Sequence, residues 1–184
     1  MIRSLGLGLL VGCLLAPPAL ACGDGEVVLF GCQTLDTTHD LSDNGIAVCG
    51  GEPDADGRYT TIHYEFTTTR SVELSYPVNP AEGRSQLFFH HYFEGGLYRA
   101  RLRFKNGDYS YKIFFDANAP STEPDEVTGP TAGVEVRKGS KLVAEISCGE
   151  RPASYFDDIR QATSCDTTNP YGEKACASDG PEVK

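Results

Sequence analysis

Alternating apolar and polar residues fill the middle of the chain, from residue 86 to residue 116. Side chains of a β-strand point alternately to its two faces, so this alternation indicates strands with one buried face. Two short glycine-containing segments, Gly95-Gly96 and Asn106-Gly107, interrupt the pattern. Asn-Gly between such runs is typical of a two-residue hairpin loop. The pattern therefore predicts three consecutive antiparallel strands, at about 86–94, 97–105 and 108–116.

The two loops also predict which residues lie opposite each other. The first places Phe89 opposite Leu102, and the second places Leu102 opposite Tyr111. These positions share a face that is apolar apart from one histidine, so this face is the predicted core. On the other face, the second loop places Arg101 directly opposite Lys112, an unfavourable pairing of like charges.

The face opposite the predicted core is basic and aromatic. Its positive charges come mainly from the arginine ladder, which we define as Arg99, Arg101 and Arg103. One interpretation is a solvated surface on which the arginine side chains cover aromatic rings. The other is a patch that binds an anionic ligand or a partner. The candidate ligand-binding residues are His90, Tyr92, Arg99, Arg101, Arg103 and Lys112.

Further strands are predicted on both sides of this meander, and one short helix follows them. An all-β fold is expected: an antiparallel meander, as a sandwich or small barrel of about eight to nine strands, with a short C-terminal helix. The expected organisation is a signal peptide at 1–21, a β-domain at 22–165 and a polar C-terminal tail at 166–184. The additional strands are predicted at 27–34, 45–49, 59–66, 71–76, 134–137 and 141–148, and the helix at 154–162 with Ser154 as its N-cap.

The first 21 residues have the pattern of a secretory signal peptide. Arg3 precedes an apolar run, and the small residues at 19–21 fit a cleavage site. We therefore expect export, to the periplasm or outside the cell. Cleavage after Ala21 would leave Cys22 at the N-terminus, which also resembles the lipid-attachment site of bacterial lipoproteins. An outer-membrane lipoprotein anchored at Cys22 is the alternative location, and a membrane partner is expected only in that case.

Six cysteines remain after cleavage, enough for three disulfides. The most local pairing joins Cys32 to Cys49, which would staple the first two strands. Cys148 would then pair with Cys165, and Cys22 with Cys176. Sequence alone does not establish this connectivity.

The chain is strongly acidic, with a formal net charge of −10. Affinity for nucleic acid depends mainly on neutralising phosphates, so this charge disfavours a nucleic-acid partner. A basic protein partner is compatible with it, because opposite fields steer association.

No catalytic residues, metal site or cofactor are predicted. There is no G-x-S-x-G, and every cysteine of the mature chain has a structural role. Structural or exposed roles are favoured for the four histidines, His39, His63, His90 and His91. Two acidic loops have oxygen ligands that would suit calcium, but solvated turn residues explain them more simply. These loops contain Asp36, Asp40 and Asp43, and Asp54 with Asp56.

The opening strand LFGCQT, the meander and the late strand AEISC together resemble small cysteine-bridged β-proteins of the bacterial periplasm, such as the lysozyme-inhibitor families. The Ser-Gly-x-x-Tyr type of inhibitory loop has no counterpart here, so the resemblance carries over no inhibitory residue.

Two functions are expected. The first is an exported, non-enzymatic binding protein, for example an inhibitor of, or immunity protein against, a basic enzyme that acts on the cell wall. The alternative is an envelope module that binds an anionic glycan or lipid head group through the basic, aromatic face.

Overall fold

The structure is a computed structural model, which describes residues 22–69, 71–118, 130–178 and 180–183. The predicted signal peptide lies outside the described residues, as does most of the polar break after residue 118. The strands are β1 (Val27–Leu35), β2 (Leu41–Gly50), β3 (Ile62–Thr67), β4 (Val72–Tyr76), β5 (Phe88–Glu94), β6 (Leu97–Asn106), β7 (Tyr109–Asn118), β8 (Thr131–Lys138), β9 (Lys141–Ser147), β10 (Ala153–Ser154), β11 (Ser164–Cys165) and β12 (Glu182–Val183). The helices are α1 (Gly83–Gln86) and α2 (Phe156–Ala162), with short 3₁₀ turns at Pro80–Glu82 and Gly172–Cys176.

The strands form two sheets. The first has the order β10-β1-β2-β3-β4, and the second the order β11-β5-β6-β7-β8-β9. The second sheet contains the predicted meander. Both β11 and β12 run parallel to β5 and pair with it. Segments from the C-terminal part of the chain therefore cover the edge of β5 that β6 leaves free.

The core lies between the two sheets. Phe30 and Val48 from the first sheet are buried, as are Phe89 and Leu102 from the second. Helix α2 also packs against the core, with the Phe156 ring centroid 4.9 Å from that of Phe115. The expected all-β fold with a short C-terminal helix is confirmed as an open sandwich, and the small barrel is not formed.

The first hairpin has the predicted register, because Phe89 lies opposite Leu102. The register predicted for the second hairpin, between β6 and β7, is wrong by two residues. Leu102 lies opposite Ile113, and Arg101 lies opposite Phe114 rather than Lys112. The two-residue loop is Gly107-Asp108 instead of Asn106-Gly107. Gly107 has φ 59°, and a type II′ turn places glycine at this first loop position.

All six cysteines of the described chain form disulfides, but the predicted pairing is wrong. In the β1–β2 ladder Cys32 lies opposite Ile46, whereas Cys49 lies opposite Val28. Three residues along β2 correspond to about 10 Å, beyond the ~7 Å between Cα atoms that a disulfide can bridge. The observed bridges are Cys22–Cys49, Cys32–Cys148 and Cys165–Cys176.

The predicted helix begins later than expected, at Phe156. Ser154 is not its N-cap, because it belongs to β10 and pairs with Phe30 of β1. After the β-domain, Asp166 and Ala175 are buried against the second sheet. The polar segment after Cys165 thus supplies side chains to the surface described next.

Candidate functional site

The six candidate ligand-binding residues lie together on the outer face of the second sheet, the face directed away from the first sheet. Cross-strand pairs place His90 opposite Arg101 and Tyr92 opposite Arg99. On β6 the arginine ladder alternates with buried core residues, as the hydrophobic pattern requires. The fourth cation, Lys112, lies opposite Arg103.

Each cation of this group forms an ion pair with a carboxylate of the same chain. Asp116 lies directly opposite Arg99 in the register that the structure adopts, and it contacts both Arg99 and Arg101. Arg101 also donates to the carbonyl oxygens of Ala100 and Phe115. The pairs are Arg99–Glu94 at 3.1 Å, Arg99–Asp116 at 3.0 Å, Arg101–Asp116 at 2.5 Å, Arg103–Asp166 at 2.5 Å and Lys112–Glu135 at 2.6 Å. Much of the positive charge of the predicted patch is therefore neutralised within the protein.

Asp166 is the buried carboxylate on which this network converges. Both of its oxygens accept hydrogen bonds from Arg103 at 2.5 Å, and His90 Nδ1 lies 2.9 Å from Oδ2. The backbone N–H and hydroxyl of Thr168 also donate to it. Burial raises the pKa of Asp166, but hydrogen bonds from Arg103 and Thr168 outweigh it and lower the pKa to about 2.

His90 is held as a neutral imidazole beside this carboxylate. Burial lowers its pKa, Asp166 partly opposes that shift, and the cationic Arg103 and Arg101 reinforce it. The neutral ring donates its Nδ1 proton to Asp166. Among the described residues no serine, threonine or cysteine side chain forms a hydrogen bond with His90. The pair thus lacks the third member of a nucleophilic triad within the described part of the chain.

A cleft of about 640 Å³ opens at one end of this face. The β6–β7 hairpin extends beyond Phe88, the first residue of β5, so Lys105 of β6 has no partner in that strand. We define the cleft by its lining residues, which are Tyr76, Ser85, Gln86, Phe88, Arg103, Phe104, Lys105, Ser110, Tyr111, Lys112, Glu135, Arg137, Cys165, Asp166, Thr167 and Thr168. Its volume falls in the range of small-ligand sites, about 300–1,000 Å³.

The cleft is positive overall, although the chain as a whole is acidic. Four lining residues are cationic and two, Glu135 and Asp166, are carboxylates. Lys105 has no ion pair within the described residues, and Arg137 approaches Glu135 only to 3.4 Å. Next to these charges Tyr76, Phe104 and Tyr111 stack in sequence, with 4.6 Å between successive ring centroids. Charged hydrogen-bond donors and aromatic side chains therefore line the same cleft.

The acidic loops form compact turns. Asp36 accepts hydrogen bonds from the backbone N–H groups of Thr38 and Asp40, and Asp54 accepts from those of Asp56 and Arg58. These are the side-chain-to-backbone bonds that aspartate forms in turns.

No family model, curated protein or solved structure matches this chain.

Sequence reasoning missed the carboxylates of this face. Asp116 could have been found, because it follows Phe114 by two residues and so points to the same face. Asp166 offered no such pattern, since it follows the last cysteine-containing strand in a polar segment without periodicity.

Proposed function

We propose that the chain is an exported, non-enzymatic binding protein whose cleft recognises an anionic, ring-containing ligand such as an acidic saccharide. The observation that carries this proposal is the excess of cationic over anionic groups in a cleft of ligand size on a protein of net charge −10. The positive potential of the cleft contrasts with the negative potential of the rest of the molecule. An anion is therefore attracted to the cleft.

The cleft is the part of the predicted basic face that we expect to bind, because it contains Lys105, a cation with no ion pair among the described residues. Arg99 and Arg101 already have carboxylate partners, so an anion would have to compete with Asp116 for them. Lys105 is exposed and can direct its ammonium group to a ligand. The partly buried rings of Tyr76 and Tyr111 offer an apolar surface on which a sugar ring can pack, and Phe88, with 37% of its surface exposed, adds to it.

Export is supported by the cysteines. Three disulfides support an oxidising compartment for the folded chain, because such bridges persist there. The Cys22–Cys49 bridge uses the thiol that a lipid anchor would need, which favours a form without a lipid over the lipoprotein alternative. No helix in the described part of the chain has the length and apolar character to cross a bilayer.

The test compares two triple variants of equal charge. Lys105→Ser/Lys112→Ser/Arg137→Ser removes cations from the cleft, and Lys141→Ser/Arg151→Ser/Lys174→Ser removes exposed cations elsewhere. Binding of oligogalacturonate and of heparin oligosaccharides is measured by calorimetry at low and high salt. We expect the cleft variant to lose about tenfold or more in affinity, since one charge-assisted hydrogen bond contributes about 1.5 kcal/mol. The control variant should bind as the parent does.

Vesicles that contain an anionic lipid distinguish a head group from a free saccharide. Binding to the vesicles but not to the oligosaccharides would assign the cleft to a lipid head group. Equal affinities of the two triple variants for every probe would contradict the proposal.

A second candidate, the inhibitor of a basic enzyme, is favoured by the turn between β1 and β2. The hydroxyl of Thr38 and then the backbone N–H groups of Thr38 and Asp40 lower the pKa of Asp36. This exposed turn thus keeps its negative charge in one fixed arrangement. Asp36→Asn/Asp40→Asn/Asp43→Asn should slow association with a basic muramidase, because loss of steering acts mainly on the on-rate. The same variant should bind the saccharide probes as the parent does.

A further inference from the structure

A buried histidine with two carboxylates lies on the outer face of the first sheet, away from the cleft. His63 and Glu65 are on β3, and Glu26 precedes β1. Alternation along β3 directs both of its side chains away from the core. Yet only 4% of His63 and 9% of Glu65 is exposed. We call these three residues the His63 cluster.

The two ring nitrogens of His63 face different carboxylates. Nε2 lies 3.2 Å from Oε1 of Glu65, within hydrogen-bonding distance. Nδ1 lies 3.7 Å from Oε1 of Glu26, too far for a hydrogen bond. Among the described residues neither Nδ1 of His63 nor the buried Oε2 of Glu65 has a hydrogen-bond partner. Leaving such an atom buried without a partner costs about 1–3 kcal/mol, so the cluster is arranged for a further interaction.

We propose that the His63 cluster binds a divalent transition-metal ion of the zinc class, with His63 Nδ1 and the Glu26 carboxylate as its protein ligands. Two ligand atoms at about 2.0–2.1 Å from a tetrahedral ion are about 3.3–3.4 Å apart. The observed 3.7 Å between Nδ1 and Oε1 needs only a small closing movement. Nε2–H donates to Glu65, so the lone pair of Nδ1 is directed to the side of Glu26.

Glu65 is a positioning residue in this arrangement. Histidines that bind metals commonly donate their second ring N–H to a carboxylate, which fixes the tautomer and raises the basicity of the ligand nitrogen. Glu26 is itself oriented, because its Oε2 accepts a hydrogen bond from the backbone N–H of Gly23 at 2.8 Å. The side chains on both sides of the proposed ion are therefore held before it binds.

The imidazole ligand sets the class of metal. The sulfur of Cys49 also lies within 4.8 Å of the ligand atoms of His63 and Glu26, but it is bonded to Cys22 and supplies no thiolate. Imidazole with carboxylate suits zinc and its neighbours, whereas calcium and magnesium prefer oxygen ligands alone. Two water molecules would complete a tetrahedral coordination sphere, because the chain supplies two of its four ligands.

Calorimetric titration of the purified full chain with Zn²⁺ tests this proposal. We expect one saturable site in the parent, and loss of that site in His63→Gln. Glu65→Gln should weaken binding by about 10–100-fold, the usual effect of removing an outer carboxylate. Ca²⁺ should not compete. X-ray absorption of the zinc-loaded protein should show nitrogen and oxygen ligands without sulfur.

The controls are His39→Asn and Glu52→Gln, which alter an exposed histidine and an exposed carboxylate. Both should bind Zn²⁺ as the parent does. Glu26→Gln keeps the test decisive if the His63 variant does not fold, because Glu26 is partly exposed and lies outside the core. Unchanged affinity in Glu26→Gln, or the absence of a saturable site in the parent, would overturn the proposal.

Discussion

Asp166 links folding to the surface that we assign to ligand binding. Its folded pKa of about 2 lies below the ordinary value of 3.8. A carboxylate with a depressed pKa stabilises the fold while it is ionised, so its contribution is complete above about pH 4 and is lost as the pH falls to about 2. The shift corresponds to about 2–3 kcal/mol.

We therefore expect Asp166→Asn to lower the free energy of unfolding by about 2–3 kcal/mol at neutral pH. This loss of stability is smaller than the loss from breaking a fully buried ion pair, because 37% of the Arg103 side chain remains exposed and can be solvated. Urea denaturation at neutral pH and at pH 2 measures the effect, and the difference between variant and parent should shrink at the lower pH. Asp43→Asn, an exposed control, should change stability by less than about 0.5 kcal/mol. If the difference in unfolding free energy between the parent and Asp166→Asn stays constant with pH, the charge of Asp166 does not cause the loss of stability.

At the scale of elements, the turn between β6 and β7 decides which side chains become neighbours. Gly107 has φ 59°, while Asn106 is the last residue of β6 and has no positive φ. A side chain at a left-handed position costs about 1–2 kcal/mol. Gly107→Ala should therefore destabilise the protein by about that amount, and Asn106→Ala by less. Thermal melts of the two variants measure this difference.

Similar losses of stability in these two variants would indicate the Asn106-Gly107 loop that the sequence predicted. That loop needs positive φ at both of its residues, so Asn106→Ala would then be costly.

The faces of the meander could be predicted, but the partners across its strands could not. A shift of two residues leaves each side chain on the same face, so Leu102 was correctly placed in the core although its neighbour on β7 is Ile113 rather than Tyr111. The same shift moves Lys112 from Arg101 to Arg103 and brings Asp116 opposite Arg99. Periodicity determines the face, whereas the turn geometry determines the register. The network of ion pairs depends on the register.

At the scale of the whole molecule, the three disulfides close loops of very different length. Cys32–Cys148 spans 116 residues, Cys22–Cys49 spans 27 and Cys165–Cys176 spans 11. In the chain-entropy model these bridges stabilise the fold by about 5, 3.5 and 3 kcal/mol, respectively.

Cys32→Ala/Cys148→Ala should therefore lower the melting temperature more than Cys165→Ala/Cys176→Ala. Calorimetric melts test this order, and the parent without residues 1–21 should show no free thiol. A larger loss from the 11-residue bridge would mean that local packing around β5, rather than chain entropy, sets the ranking.

Contacts between distant parts of the chain were beyond sequence reasoning. The most local pairing of cysteines was the natural expectation, but Cys148 reaches β1 because Thr34 bridges to Cys148 at the ends of the two sheets. Asp166 reaches Arg103 for a similar reason, since β11 lies along β5. The arrangement of the two sheets determines both contacts, and no local pattern encodes it.

The order of the disulfides has a consequence for how the chain acquires them. Among the six cysteines that the structure describes, the first pairs with the third and the second with the fourth, so these two bridges interleave. An oxidase that joins cysteines as they emerge from a translocon would link the first to the second and the third to the fourth. Reaching the native arrangement then requires thiol–disulfide exchange. Maturation would thus depend on an isomerase in the receiving compartment as well as on an oxidant.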